Sequence, residues 1–224
     1  KYVTFLDSDD MLADGAIDAW MDMTYSSKAD VVEGGYQIFY NNTTRRTFKH
    51  KNEIIDHWVG TLYGYPWGKV FKAKIFDKIH FPEKYWFEDT LISLIVYPSC
   101  KTFATIDKIV YKYRINYQGI TYTARHNCKV VDSYWITETL LKDRAKLEIK
   151  DDGSFAEFLL FQLKVNFGRI HSLNDKEADV ANFILSVYLF EKYCSYPKQS
   201  RYNEIALAMQ KRDFGIYKLA CILK

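Results

Sequence analysis

A mixed α/β part followed by an all-helical part, with a boundary near residue 125, is the fold class that this 224-residue chain predicts. The prediction rests on texture. Short apolar runs broken by acidic, Asn or Gly turns occupy residues 1–125, and apolar residues at helical spacing occupy residues 126–224. The chain is 48% hydrophobic and 17% aromatic, enough material for a substantial core and more than a disordered chain carries.

Tyr2 to Leu6 reads as a strand, Asp7-Ser8-Asp9-Asp10 as an acidic turn, and Leu12, Ala16, Ile17, Trp20 and Met23 recur as on one helix face. Val31 to Tyr40 reads as a second strand. The polar cluster Asn41-Asn42-Thr43-Thr44 then turns it into a hairpin whose return runs over Arg45 to Ile55. Gly60, Gly64, Pro66 and Gly68 mark a loop that contains Trp67 and Lys69. An apolar helix is expected from Glu88-Asp89 through Val96 to Pro98, and a strand from Phe103 to Tyr113. Helices are expected at about 128–148, 154–171, 177–194 and 203–222, with Asp151-Asp152-Gly153 and Ser195-Tyr196-Pro197 as breaks.

Composition excludes several classes. With 31 basic and 28 acidic residues the charge is too balanced for nucleic-acid binding over a whole face, so no nucleic-acid partner is expected. Cys100, Cys128, Cys194 and Cys221 form no C-x-x-C pair, which fits reduced thiols in a cytoplasmic setting. No apolar run reaches the roughly 20 residues that span a bilayer. His50, His57, His80, His126 and His171 lack the spacing of a histidine metal motif.

Candidate chemistry gathers in a few short segments. Asp7 and Asp9 at the end of a strand can share a divalent cation that neutralises a diphosphate, or Ser8 or Asp9 can simply cap the next helix. Glu88 and Asp89 can be a proton acceptor among Tyr85, Trp86 and Phe87, or first-turn acids that complement a helix dipole. Trp67 and Lys69 combine a ring for stacking on a sugar with a cation; the alternative for Trp67 is the core. Tyr113-Arg114 offers a guanidinium for a diphosphate, or an ordinary ion pair at a strand end.

The order of these segments carries more than any one of them. Apolar strand into Asp-Ser-Asp-Asp, then Pro66-Trp67-Gly68-Lys69-Val70-Phe71, then Phe81-Pro82-Glu83 with Phe87-Glu88-Asp89-Thr90, then Tyr111-Lys112-Tyr113-Arg114 and Gly119-Ile120-Thr121 resembles the bacterial family-two glycosyltransferases. The resemblance covers roughly residues 1–125. It implies the C-terminal portion of a Rossmann-like GT-A domain with a mixed sheet, the half that grips the nucleotide base lying upstream of Lys1. Gly68 stands where that family usually has Asn, Gly119 where it commonly has Ser, and Ala13 where a Pro often follows the acidic turn.

By that resemblance the chain is an inverting, metal-dependent sugar transferase. The donor is a nucleotide sugar, with a UDP-sugar favoured, and the acceptor a glycan or lipid-linked sugar of cell-surface polysaccharide. Asp9 becomes the ligand of Mn²⁺ or Mg²⁺, Asp7 and Arg114 donor contacts, and Asp89 the catalytic base with Glu88 beside it. Trp67, Lys69 and Tyr113 become acceptor contacts. The other classes open to these residues are a metal-dependent nucleotidyltransferase or phosphohydrolase and a non-catalytic carbohydrate-binding module. Residues 198–224 carry six basic side chains against Glu204 and Asp213, with apolar residues between them. That pattern fits a solvated helix packing on the domain, or peripheral contact with the inner face of a membrane.

Overall fold

The computed structural model describes residues 1–149 and 154–223, so the expected break at Asp151-Asp152-Gly153 lies outside the described residues. The chain forms two compact units, Lys1–Phe81 with Asp89–Tyr117, and Pro82–Glu88 with Gln118–Lys224. The division falls after Tyr117, and residues 82–88 join the second unit as a separate piece.

The first unit is a mixed sheet with one long helix. Its strands are β1 (Tyr2–Thr4), β2 (Met11–Leu12), β3 (Val31–Tyr40), β4 (Thr43–Phe48), β5 (Glu53–Ile55), β6 (Lys69–Lys72) and β7 (Phe103–Arg114). Their order is β1-β6-β3-β7-β2, with β4 continuing along β3 beyond β6 and β5 along β7. Among the strands of the described residues only β3 and β7 run parallel, paired from Val31 against Phe103 to Phe39 against Arg114 with the register shifting on both sides of Gly35. This central pair explains why Val31 to Tyr36 is buried without alternation, since both its edges and both its faces are covered.

Helix α1 (Ala16–Ser27) lays Ala16 and Trp20 on the sheet against Val32, Val110 and Tyr111. The glycine pair in β3 permits close packing where the register with β7 shifts: a Cβ on Gly34 would lie 2.5 Å from Val110 Cγ2. The expected apolar helix after Asp89 is irregular, π-helical over Ile92–Val96 and 3₁₀ over Tyr97–Ser99, where Pro98 ends it.

The second unit is helical: α2 (Ile120–Thr123), α3 (Asp132–Lys146), α4 (Phe155–His171), α5 (Lys176–Tyr193), α6 (Asn203–Gln210) and α7 (Phe214–Leu223). Leu159, Leu163 and Phe167 of α4 are fully buried at its centre. A polar network crosses this core, in which Ser133 donates to Asn166 Oδ1 (2.7 Å) and Asn166 donates to Thr137 (2.9 Å). The single helix expected over 203–222 is two helices. Arg212 turns the chain at φ 56°, and the Asp213 carboxylate caps α7 by accepting the Ile216 N–H at 2.9 Å.

Three of the six basic residues of 198–224, read as a solvated helix or as a membrane contact, are engaged within this unit. Arg201 pairs with Glu157, Arg212 with Glu191, and Lys218 with the buried Asp179, while Lys224 lies outside the described residues. Ile216, Leu219 and Ile222 of α7 are about half exposed. No helix among the described residues is long and apolar enough to cross a membrane.

Candidate active site at the acidic turn

The chain leaves β1 through Phe5, which bridges in parallel to Trp67, and enters the Asp7–Asp10 turn closed by Asp10 N–H to the Asp7 carbonyl (3.1 Å). Next comes β2, paired with Tyr111 and Lys112 of β7, and only then α1, whose N-cap is Gly15. The helix-capping alternative is therefore overturned: neither Ser8 nor Asp9 stands at a helix start. A strand separates the acidic turn from α1, and the turn is held by the far end of β7.

Four contacts hold it. The Asp7 N–H donates to the Tyr111 hydroxyl (3.1 Å), and the Arg114 N–H donates to Asp10 Oδ1 (2.6 Å). Arg114 Nε donates to the Asp9 carbonyl (2.7 Å), and Asn116 Nδ2 donates to Asp9 Oδ2 (2.8 Å). Asp10 is the buried member, 9% exposed; its Oδ2 has no geometrically complete hydrogen bond and faces the Tyr111 hydroxyl. Burial pushes its carboxyl above the usual carboxylate range, opposed by the Arg114 N–H and the Tyr111 hydroxyl. Asp7 is exposed and Asp9 half-buried, so these two carboxylates are the ones a ligand can reach.

Arg114 lies over the Phe39 ring at 4.7 Å and makes no ion pair among the described residues. The ordinary strand-end ion pair is thereby set aside; the guanidinium is a cation fixed beside the turn. Tyr113 is half-buried, its ring 5.5 Å from Trp67.

Trp67 and Lys69 need correction. Trp67 is no exposed loop ring: it is 8% exposed and stacked between Tyr65 and Tyr111, each at 4.7 Å. Lys69 sits on β6 at 1% exposure, its Nζ 2.9 Å from Glu33 Oε2 and donating to the carbonyls of Tyr63, Tyr65 and Trp67. An ammonium has three protons, and these partners use them all, so Lys69 cannot contact an acceptor. Burial holds its pKa below the usual lysine value, with Glu33 working against that shift.

Sequence reasoning missed Glu33, Tyr63 and Tyr65. A charged residue within Val31-Val32-Glu33-Gly34 was a signal that something must pair with it. The partner is 36 positions away, beyond any local pattern.

Asp89 opens the irregular helical segment, its carbonyl accepting the Ile92 N–H (2.9 Å). That segment is tied to the aromatic loop at two points. Tyr97 donates its hydroxyl to the Tyr63 carbonyl, and a Cβ on Gly64 would come within 2.7 Å of Ser93 Oγ. Glu88 is exposed and belongs with residues 82–88, in which Phe87 takes the left-handed conformation at φ 67° and its ring receives Arg169 at 3.7 Å. Trp86 donates its N–H to Asp132 (2.9 Å). Trp86 and Phe87 thus make these contacts within the helical unit.

Two glycines at which the sequence departs from the motifs it resembles have conformational reasons. Gly68 is at φ 72°, a region that Gly and Asn enter most readily, and Gly119 is the N-cap of α2, a position Ser and Gly both fill.

No protein-family model and no curated protein sequence matches the chain. Solved structures do. A crystal structure of S. aureus TarS matches with a TM-score of 0.65 at 16% identity, over 98% of this chain and 39% of that one. S. aureus TarS 1–349 in complex with UDP-GlcNAc matches with a TM-score of 0.66 at 13% identity, over 98% of this chain and 66% of that one. The same fragment in complex with UDP gives 0.64 at 13% identity, over 98% and 65%. The fold is glycosyltransferase-like. At these identities the likeness is one of fold, and the chain spans between 39% and 66% of the length of the structures it matches.

Proposed function

We propose that this chain forms part of a glycosyltransferase that takes a sugar from a nucleotide-diphosphate donor, a UDP-sugar foremost, and passes it with inversion to a glycan or lipid-linked acceptor. The observation that carries the reading is the acidic turn. The turn does not cap α1; β7 holds it, through Tyr111 on the Asp7 N–H and through Arg114, whose guanidinium donates to the Asp9 carbonyl, in a fold shared with a protein solved with UDP and UDP-GlcNAc.

Asp89 would accept the proton of the attacking acceptor hydroxyl, with Glu88 its neighbour in sequence. Asp7 would contact the nucleotide side of the donor, and Arg114 would face its diphosphate, where a planar guanidinium suits paired phosphate oxygens. Trp67 and Tyr113 would back the acceptor side.

Among the described residues no group of three or more metal-ligating side chains stands together. The Asp9 carboxylate, with one oxygen already accepting from Asn116, fits the kind of divalent site that uses one or two carboxylates and takes its other oxygens from water and substrate phosphates. Bound there, Mn²⁺ or Mg²⁺ would supply electrostatic stabilisation of the departing diphosphate.

The test is a panel of nucleotide sugars offered with Mn²⁺, read as products. Release of nucleoside diphosphate with sugar transferred supports the proposal. Release of nucleoside monophosphate points to a phosphohydrolase or nucleotidyltransferase, and glycan binding indifferent to Asp9→Asn and to chelator points to a binding module.

A further inference from the structure

We propose that Asp10 is a positioning residue for donor binding: its buried carboxylate ties Tyr111 and Arg114 of β7 to the acidic turn, so that Asp7, Asp9 and Arg114 meet the donor as one preformed set. This rests on the glycosyltransferase reading above and deepens it with a residue that acts through its neighbours.

The three carboxylates of the turn are not equivalent. Asp7 is exposed and Asp9 half-buried, whereas Asp10 is 9% exposed. Tyr111 and Arg114, three positions apart on β7, each reach both Asp10 and one of its neighbours. The Tyr111 hydroxyl accepts the Asp7 N–H (3.1 Å), which leaves its own proton for Asp10 Oδ2, the oxygen that it faces. Arg114 donates its backbone N–H to Asp10 Oδ1 (2.6 Å) and its Nε to the Asp9 carbonyl (2.7 Å). The Asp10 N–H in turn donates to the Asp7 carbonyl (3.1 Å). One carboxylate thus stands between the two residues that hold the turn on either side of it.

A turn between two strands does not itself call for a buried charge. Asn, Gly or Ser closes such turns through local backbone contacts, and a carboxylate taken out of water is costly unless its oxygens are paired. Asp10 directs its oxygens at the same two β7 residues that fix the backbone of Asp7 and Asp9. Tyr111 is a firm anchor, fully buried with its ring stacked on Trp67 at 4.7 Å, and the Arg114 guanidinium is steadied over the Phe39 ring. Loss of the Asp10 carboxylate frees Tyr111 from one side of the turn and Arg114 from the other. A displacement of about 1 Å in groups that must act together can cost on the order of 100-fold.

The test is calorimetry with UDP and Mn²⁺ on wild type, Asp10→Ala, Asp10→Asn, Tyr111→Phe and Asp30→Asn. The last is a destabilising control outside the turn, where Asp30 binds Lys72 and Thr102. Thermal melts record stability, and NMR hydrogen exchange follows the Asp7 amide in the ligand-free protein. Asp10→Ala is expected to bind UDP with Mn²⁺ roughly 10- to 100-fold more weakly than wild type, the range for groups that orient metal ligands. Asp10→Asn keeps an oxygen for the Arg114 N–H and should lose less. Tyr111→Phe, with no acceptor for the Asp7 N–H, should also bind more weakly, and the Asp7 amide should exchange faster in it and in Asp10→Ala. Asp30→Asn, though less stable, should bind as wild type does. Wild-type affinity in folded Asp10→Ala would overturn the proposal, as would an equal loss in Asp30→Asn, which would show affinity merely following stability. If Asp10→Ala does not fold, wild-type affinity in both Asp10→Asn and Tyr111→Phe overturns it. No UDP binding by wild type would remove the glycosyltransferase reading and the proposal together, whereas wild-type binding that the variants leave untouched removes the proposal alone.

Discussion

Glu33 and Lys69, 36 positions apart on β3 and β6, face each other at 2.9 Å with 2% and 1% of their side chains exposed. Both strands supply apolar neighbours, so each charge depends on the other. Removing either partner alone, as in Glu33→Leu or Lys69→Met, is expected to destabilise the first unit by about 3–5 kcal/mol. The double variant should recover most of that loss. Chemical denaturation of the three variants checks this, and equal loss in single and double variants would show that the loop carbonyls, not the pair, dominate.

Asp30 gives a pH dependence. Burial acts to raise its pKa, but the Lys101 and Thr102 N–H groups (2.8 and 3.2 Å) and Lys72 Nζ (2.9 Å) together hold it below the model-peptide value of 3.8. A carboxyl depressed in the folded state contributes stability above its unfolded pKa and loses it as pH falls through the folded one. Wild type should therefore lose stability below about pH 4, and Asp30→Asn should lessen that acid dependence while costing roughly 1.5–3 kcal/mol at neutral pH, the range for charge-assisted hydrogen bonds. Thermal melts across acid pH measure both. An acid limb unchanged in Asp30→Asn would contradict the assignment.

Asp89→Asn should lower sugar transfer roughly 10²- to 10⁴-fold, the range for a general base, while melting temperature and UDP affinity stay near wild type. Steady-state turnover beside a thermal melt separates the two effects. Retention of more than about a tenth of the wild-type rate would remove Asp89 from the proposed mechanism.

Vesicle binding tests the last two helices. Because Arg201, Arg212 and Lys218 are each paired with a carboxylate, co-sedimentation should be no greater with anionic than with neutral vesicles. A several-fold rise with anionic lipid would show that these pairs open at a membrane.

Local signals in the sequence reached far but not across the sheet. The β3–β4 hairpin, the body of α1, and helices α4 and α5 follow from periodicity and turn residues. The acidic turn was legible too, but not that β2, a two-residue strand, separates it from α1; a pair of residues carries no periodicity. The Gly and Pro around Trp67 and Lys69 left a loop ring and a core ring both open for Trp67 and suggested a reachable cation for Lys69, whereas parallel pairing to Phe5 and the distant Glu33 decide their burial. The stop between α6 and α7 had a signal, Asp213 before an apolar run, that a continuous helical period across 203–222 outweighed.

The donor side can be judged without knowing the acceptor, by calorimetric titration of the protein with UDP, with and without Mn²⁺, for wild type and Asp9→Ala. The account predicts that wild type binds UDP more tightly with the metal than without it, and that Asp9→Ala loses the metal-dependent part, since a hard divalent cation held through few carboxylates cannot spare one. Equal UDP affinity under all four conditions, or no UDP binding by wild type, would contradict it.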